Sequence, residues 1–196
     1  MIEIRVVTGD EFEAAKAVEK EVFLLEGYPY NYDEYDEQCV MFGAFDGSRC
    51  IGSLRLIKQA PKAPPVLADC KVWNPDEWIS LGERFEEMGT HAVLPEYQKR
   101  NIGVELIRAA YTNGRIRGLT CMGVITEPET AAHLNDILHF ACRQIGDVGF
   151  KGWDCAPFIH VFEEVERKVS EFDPVLYAWF VEGVPRELLS VQPSSQ

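Results

Sequence analysis

The chain has 196 residues, 46% hydrophobic and 26% charged, an ordinary globular composition that excludes a disordered segment and a disulfide-stapled miniprotein. Nineteen Lys and Arg face thirty-two Asp and Glu, and the formal charge of -13 opposes attraction to phosphate backbones, so no nucleic-acid partner is expected. The six cysteines (39, 50, 70, 121, 142 and 155) form no C-x-x-C pair and no Cys/His group at zinc spacing, and read as reduced thiols of a cytoplasmic protein without a metal.

Residues 2–7 alternate, with Ile2, Ile4 and Val6 directed inward, and break at Thr8-Gly9-Asp10, the pattern of a strand followed by a helix start. A helix is expected from about Glu11, with Phe12, Ala15, Val18 and Val22 on one face, ending near Glu26-Gly27 at an aromatic loop that carries Tyr28, Tyr30 and Tyr32. Cys39–Phe45 and Cys50–Lys58 are β-rich, and the Asp46-Gly47 pair between them suits a hairpin turn. Residues 60–82 hold prolines 61, 64, 65 and 75, which predicts a loop with room for one short helix. Phe85–Leu94 reads as a strand, residues 95–101 as a loop, Val104 to about Asn113 as a helix ended by Gly114, and Leu119–Thr126 as a buried strand. Helices over about 129–145 and 158–172 and a last strand over 175–181 complete the expectation. No run reaches the ~18 apolar residues of a membrane span and no leader pattern opens the chain. The expected fold is α/β, a single domain over residues 1–190 with a flexible tail over 191–196.

The most informative segment is Glu86–Tyr111, where a strand runs into a loop bearing Gln98, Lys99, Arg100, Asn101 and Gly103 and then into a helix. Unpaired amides and the positive end of the helix dipole converge there, so the junction reads either as an anion site or as an ordinary helix cap. The string Val93-x-Pro95-x-x-Gln98-Lys99-Arg100-Asn101-Ile102-Gly103 resembles the acyl-CoA pyrophosphate loop of the GNAT acyltransferases. That loop reads Gln/Arg-x-x-Gly-x-Gly/Ala; Gln98 and Gly103 match, and Asn101 stands at the first glycine. The resemblance implies a GNAT fold, a central mixed, mostly antiparallel sheet flanked by helices. It also implies that Val93 and the loop Gln98, Lys99, Arg100, Asn101, Ile102, Gly103 and Val104 hold the donor's diphosphate.

Val22-Phe23, Asp33-Glu34-Tyr35-Asp36, Gly52-Ser53-Leu54-Arg55-Leu56 and Glu87 are similar to the pattern of autoinducer synthases and long-chain N-acyl amino acid synthases, which acylate an amine from acyl carrier protein or CoA. By that resemblance Asp33, Asp36 and Arg55 form the amine-binding network, with Glu87 beside it. Two arginines of those synthases are replaced here by Glu19 and Thr90. The implied activity is N-acyl transfer from acyl-CoA or an acyl-acyl carrier protein to a small-molecule amine such as an amino acid. The alternatives are an acetyl-CoA-dependent N-acetyltransferase of a small or protein amine, and a non-catalytic module that binds an acyl thioester.

An ammonium acceptor must lose a proton before it attacks a thioester, and Glu87 is the candidate base, read otherwise as a solvated strand-edge carboxylate. Glu86, its neighbour on a strand, is expected on the opposite face. Gly89 marks either a distorted strand that aims a backbone amide at the thioester oxygen or a glycine of close packing. Asp33 and Asp36 also suit turn and cap roles, whereas an inward Arg55 requires carboxylate partners. Lys99, Arg100, Arg108, Arg115 and Arg117 would form a basic patch for CoA phosphates or for an acidic carrier protein.

Overall fold

A computed structural model describes residues 1–28, 30, 32–58 and 69–193, with the side chains of Glu83 and Lys151 left aside. The elements in chain order are β1 (Ile2–Val6), α1 (Asp10–Leu25), a 3-10 turn (Asp33–Gln38), β2 (Cys39–Asp46), β3 (Arg49–Lys58), α2 (Pro75–Ile79), β4 (Phe85–Val93), α3 (Ile102–Ile116), β5 (Cys121–Thr126), α4 (Pro128–Leu138), β6 (Arg143–Gln144), β7 (Ala156–Val161), α5 (Phe162–Phe172) and α6 (Pro174–Phe180). The strands follow the order β1-β2-β3-β4-β5-β7-β6, and the pairs β1–β2, β2–β3, β5–β7 and β6–β7 are antiparallel. This is the mixed, mostly antiparallel sheet with helices that the sequence led us to expect. Among the described residues no helix is long and apolar enough to cross a membrane.

By its contacts the chain divides into two units, Met1–Lys58 with Met88–Tyr111, and Gln59–Glu87 with Thr112–Gln196. In the first, the hairpin β2–β3 turns at Gly47, whose φ of 60° suits the Asp-Gly junction. One face of β3 carries Gly52, where an added Cβ would meet Ile102 and Leu106 of α3 at 3.4 and 3.3 Å. The opposite face carries Arg55, which bonds Glu19 of α1, so α1 and α3 cover the two faces of this part of the sheet. In β1 the expected inward set shifts: Ile2 and Val6 are 38% and 47% exposed, and the buried residue is Val7 just past the strand. β1 pairs on one side only, and edge strands bury less of each side chain.

In the second unit, Trp78, Phe85, Cys121, Ile145 and Ile159 form one buried cluster and Ala131, Ala156 and Phe158 another. Four expectations are corrected here. Gly114 lies inside α3, where a Cβ would stand 2.9 Å from Leu119 Cδ1, so it serves close packing and not a cap. The helix expected over 129–145 ends at Leu138, because His139 takes a left-handed conformation and the Asn135 side chain captures the backbone of Cys142 on both sides. Phe158 belongs to β7: the run Ala156–Val161 is a strand, and its i, i+4 spacing to Phe162 straddles a strand-to-helix junction. Residues 174–180 are helical and not a strand, since Asp173 caps the amides of Val175 and Leu176 and Pro174 fits the first helical position. Of the tail expected over 191–196, residues 194–196 lie outside the described residues, as do residues 60–68 of the expected proline-rich loop.

Candidate functional site

Arg55 is fully buried on β3, and burial opposes its charge. Glu19 offsets that, and together with Tyr30, Cys39 and Asp36 it raises the guanidinium above its ordinary pKa. Arg55 Nη2 donates to Glu19 Oε2 at 2.9 Å and Nη1 to Asp36 Oδ1 and the Tyr32 carbonyl at 2.7 Å each. Glu19, also fully buried, accepts from Tyr30 Oη at 3.0 Å and from Thr90 Oγ1. Of the residues expected around the amine, the structure brings Arg55 and Asp36 together. Asp33 sits one step out, held by Lys16 at 2.9 Å and Lys20 at 3.4 Å. Lys16 also pairs with Asp36 and so links the two aspartates.

From sequence, Glu19 and Thr90 stand out only as the replacements of two synthase arginines and Tyr30 only as part of the aromatic loop, and none of the three is assigned to the site. The signal for Glu19 is present: it stands between Ala15, Val18 and Val22 on the buried stripe of α1, the one carboxylate there. A carboxylate on an apolar helix face and an arginine inside a central strand answer each other. The loop that carries Tyr30 closes over this pair as a chain of ring contacts: Phe23 lies 6.2, 6.1 and 5.9 Å from Tyr28, Tyr30 and Tyr32, and Tyr32 lies 6.3 Å from Tyr35.

On β4, Glu86 and Glu87 are both buried, at 3% and 1% exposure, which removes the alternative reading of Glu87 as a solvated strand-edge carboxylate. Glu86 is taken up by Arg117, which grips both of its oxygens at 2.5 Å. Gly89 is crowded: an added Cβ would run into Ile57 Cδ1 and lie 3.4 Å from Tyr32 Cε1. His91 is turned outward, its Nε2 3.1 Å from the Gly103 carbonyl, and a Cβ on Gly103 would stand 3.0 Å from that ring. A residue larger than glycine therefore does not fit at 103 without moving His91.

Val93 and the loop after it form one local unit. Gln98 Nε2 donates to the Val93 carbonyl at 3.2 Å, tying the loop back to the strand end. Lys99 and Asn101 both have left-handed backbone, φ 61° and 62°, so an asparagine does occupy a position that favours glycine. Asn101 O accepts from Glu105 N at 3.0 Å, and Ile102 is 3% exposed and anchors the helix start. The first amides of α3, at Ile102, Gly103 and Val104, have no intrahelical acceptors and face the same way as the dipole. Lys99 and Arg100 are exposed. The wider basic patch does not form as expected, because Arg108, Arg115 and Arg117 pair with Glu105, Glu166 and Glu86.

Two other features of the second unit invite chemistry. Cys142 Sγ lies 3.6 Å from His160 Nδ1, the spacing of a thiol and a base. Burial pushes the Cys142 thiol up to about 12 and the His160 imidazole down to about 4, so both are neutral and the thiol is not activated. Between pH 6.5 and about 4 the unfolded chain binds a proton at His160 that the folded chain refuses, so stability falls as pH falls through that window. The expected loss is about 3 kcal/mol, and His160→Gln should flatten it in urea titrations at pH 7 and pH 4. A cleft of about 490 Å³ is lined by Trp179, Val181, Val184, Arg186, Leu189 and their neighbours.

The family model described as N-acyl amino acid synthase FeeM matches residues 14–150. Among solved structures, FeeM, an N-acyl amino acid synthase from uncultured soil microbes, is similar with a TM-score of 0.69 at 14% identity, over 88% of this chain and 99% of that one. The PaiA N-acetyltransferase of Thermoplasma acidophilum in complex with coenzyme A gives 0.55 at 16% identity, over 83% and 99%. A GNAT family acetyltransferase of Brucella melitensis in complex with acetyl-CoA gives 0.50 at 14% identity, over 80% and 95%. At these identities the structural likeness is one of fold. A sequence comparison with curated proteins found no match.

Proposed function

The chain belongs to the N-acyl amino acid synthase FeeM family and is a GNAT-type acyltransferase, and from this we propose that it moves an acyl group from an acyl thioester to the amine of a small molecule such as an amino acid. The observation that carries the donor half of the reading is the 98–104 loop, with left-handed Lys99 and Asn101, first amides of α3 that lack intrahelical acceptors and two exposed cations. The diphosphate of CoA, or the phosphate of a carrier protein's pantetheine, fits that chemistry. The family match draws on residues of both units, which supports reading 1–190 as one acyltransferase domain, and six free cysteines suit a cytoplasmic enzyme.

In this reading Glu87 takes a proton from the acceptor ammonium, and the free amine attacks the thioester carbon. The C–N bond forms as the carbonyl oxygen takes the negative charge, which a backbone amide at Gly89 steadies. Collapse breaks the C–S bond as the nitrogen gives up its second proton to solvent, the thiolate leaves and takes a proton from solvent, and Glu87 returns its own proton to solvent to reset the site. Arg55, Asp36 and Asp33 organise the acceptor end. The same geometry serves a carrier-protein donor if Lys99 and Arg100 meet its acidic surface.

Thermal unfolding with CoA, acetyl-CoA, octanoyl-CoA and holo acyl carrier protein tests the donor. A ligand at 100 times its dissociation constant stabilises by about 2.7 kcal/mol, roughly 5–10 °C in a chain of this size. The expected outcome is a shift with octanoyl-CoA well above that with acetyl-CoA. A shift with acetyl-CoA alone would make the protein an acetyltransferase, and a shift only with the carrier protein would place the donor there. No shift with any of the four removes the acyl-thioester reading.

A further inference from the structure

Gly89 and Thr90 are consecutive on β4, yet both meet the side of the sheet that α1 covers. Thr90 Oγ1 donates to Glu19 of α1. The place of a Gly89 side chain is filled by Ile57, which shares a face of β3 with Arg55, the other partner of Glu19. A regular strand sends neighbours to opposite faces, so β4 is irregular here in the manner of a β-bulge, which takes a backbone group out of the ladder. We propose that Glu19 and Thr90 are positioning residues: the buried carboxylate grips the Thr90 hydroxyl and thereby fixes the backbone of Gly89, the group that faces the developing oxyanion. The chemical part of this rests on the acyl-transfer reading above; the geometric part does not.

The grip is firm for physical reasons. Glu19 and Thr90 are 0% and 2% exposed, so no water replaces the hydroxyl once it turns away. The Glu19 carboxylate is held from two other directions, by Arg55 Nη2 at 2.9 Å and Tyr30 Oη at 3.0 Å, and cannot follow a drifting Thr90. On the Gly89 side, Ile57 is 1% exposed and Tyr32 closes in from the aromatic loop. The strand is therefore pinned on both consecutive residues, and this explains a glycine at 89 followed by a hydroxyl at 90. Displacing an aligned group by about 1 Å costs on the order of 100-fold in rate.

Thr90→Val keeps the side-chain shape, removes the donor and leaves the Glu19–Arg55 pair intact, while Thr90→Ser restores the hydroxyl. For Thr90→Val the expected result is a kcat for acyl transfer lowered roughly 10- to 100-fold with donor KM within about two-fold. Together with this, the Gly89 amide resonance should shift and exchange faster with solvent; Thr90→Ser should recover both. If Thr90→Val lowers the melting temperature but leaves kcat and the Gly89 amide at wild-type values, Thr90 only packs and the inference is overturned. The amide readout needs no substrate. Wild-type protein that turns over no acyl donor would sink the acyl-transfer reading, and an unmoved Gly89 amide would sink the brace.

Discussion

Arg55→Met should lower the stability of the protein by about 3–5 kcal/mol, enough to unfold a marginal domain. The substitution nearly conserves volume, so the loss reports charge and not a cavity. Arg55 and Glu19 are both fully buried 2.9 Å apart, and without the guanidinium Glu19 keeps only the neutral donors of Tyr30 and Thr90. An ionised carboxylate left that way is costly, and the chain would either protonate it or open. Asp36, 27% exposed, recovers hydration and contributes less. The matched double variant Glu19→Leu with Arg55→Met should recover much of the loss, because removing both members leaves no unpaired buried charge. Urea unfolding of the wild type, both single variants and the double variant gives the coupling; a single-variant cost under about 1 kcal/mol would mean that the pair is solvated.

For Glu87→Gln the expected effect is on rate. Loss of a general base costs typically 10²–10⁴-fold in kcat, while the amide keeps the shape and the donor's dissociation constant should stay within about two-fold. The two measurements separate the roles, since Glu87 belongs to β4 and the proposal seats the donor phosphates on the 98–104 loop. The pH dependence adds a second check. A base that must be ionised gives the wild type an acidic limb in kcat, and that limb should vanish in the variant. A kcat within about three-fold of wild type would leave Glu87 as a buried structural carboxylate and return the choice of base to a water relay. Glu86 is a poor substitute, because Arg117 already occupies both of its oxygens.

Much of the fold and of the loop between β4 and α3 is legible in the residues themselves. Two β-rich runs, 39–45 and 50–58, with Asp46-Gly47 between them form a hairpin wherever they stand, since the turn geometry is set by those residues and their neighbours. The strand, loop and helix from 86 to 111 are local in the same sense, and the left-handed backbone of Asn101 agrees with the resemblance that set it at a glycine position. Where two local signals compete, the reading failed. Phe158 and Phe162 have helical spacing although a strand ends between them, and Val175–Val181 is rich in residues that favour strands although Asp173 and Pro174 open a helix.

By itself, then, the sequence determined the order of most elements, the loop that joins β4 to α3 and the need of an inward Arg55 for carboxylate partners, all of which depend on residues a few positions apart. Only the tertiary structure decided that Glu19 joins Asp36 on Arg55, that Glu86 is spent on Arg117, and that Glu19 reaches Thr90 from 71 residues away. Those pairings arise because packing α1 on the sheet strips water from both partners, and a buried charge takes whichever opposite charge or donor the topology brings within reach.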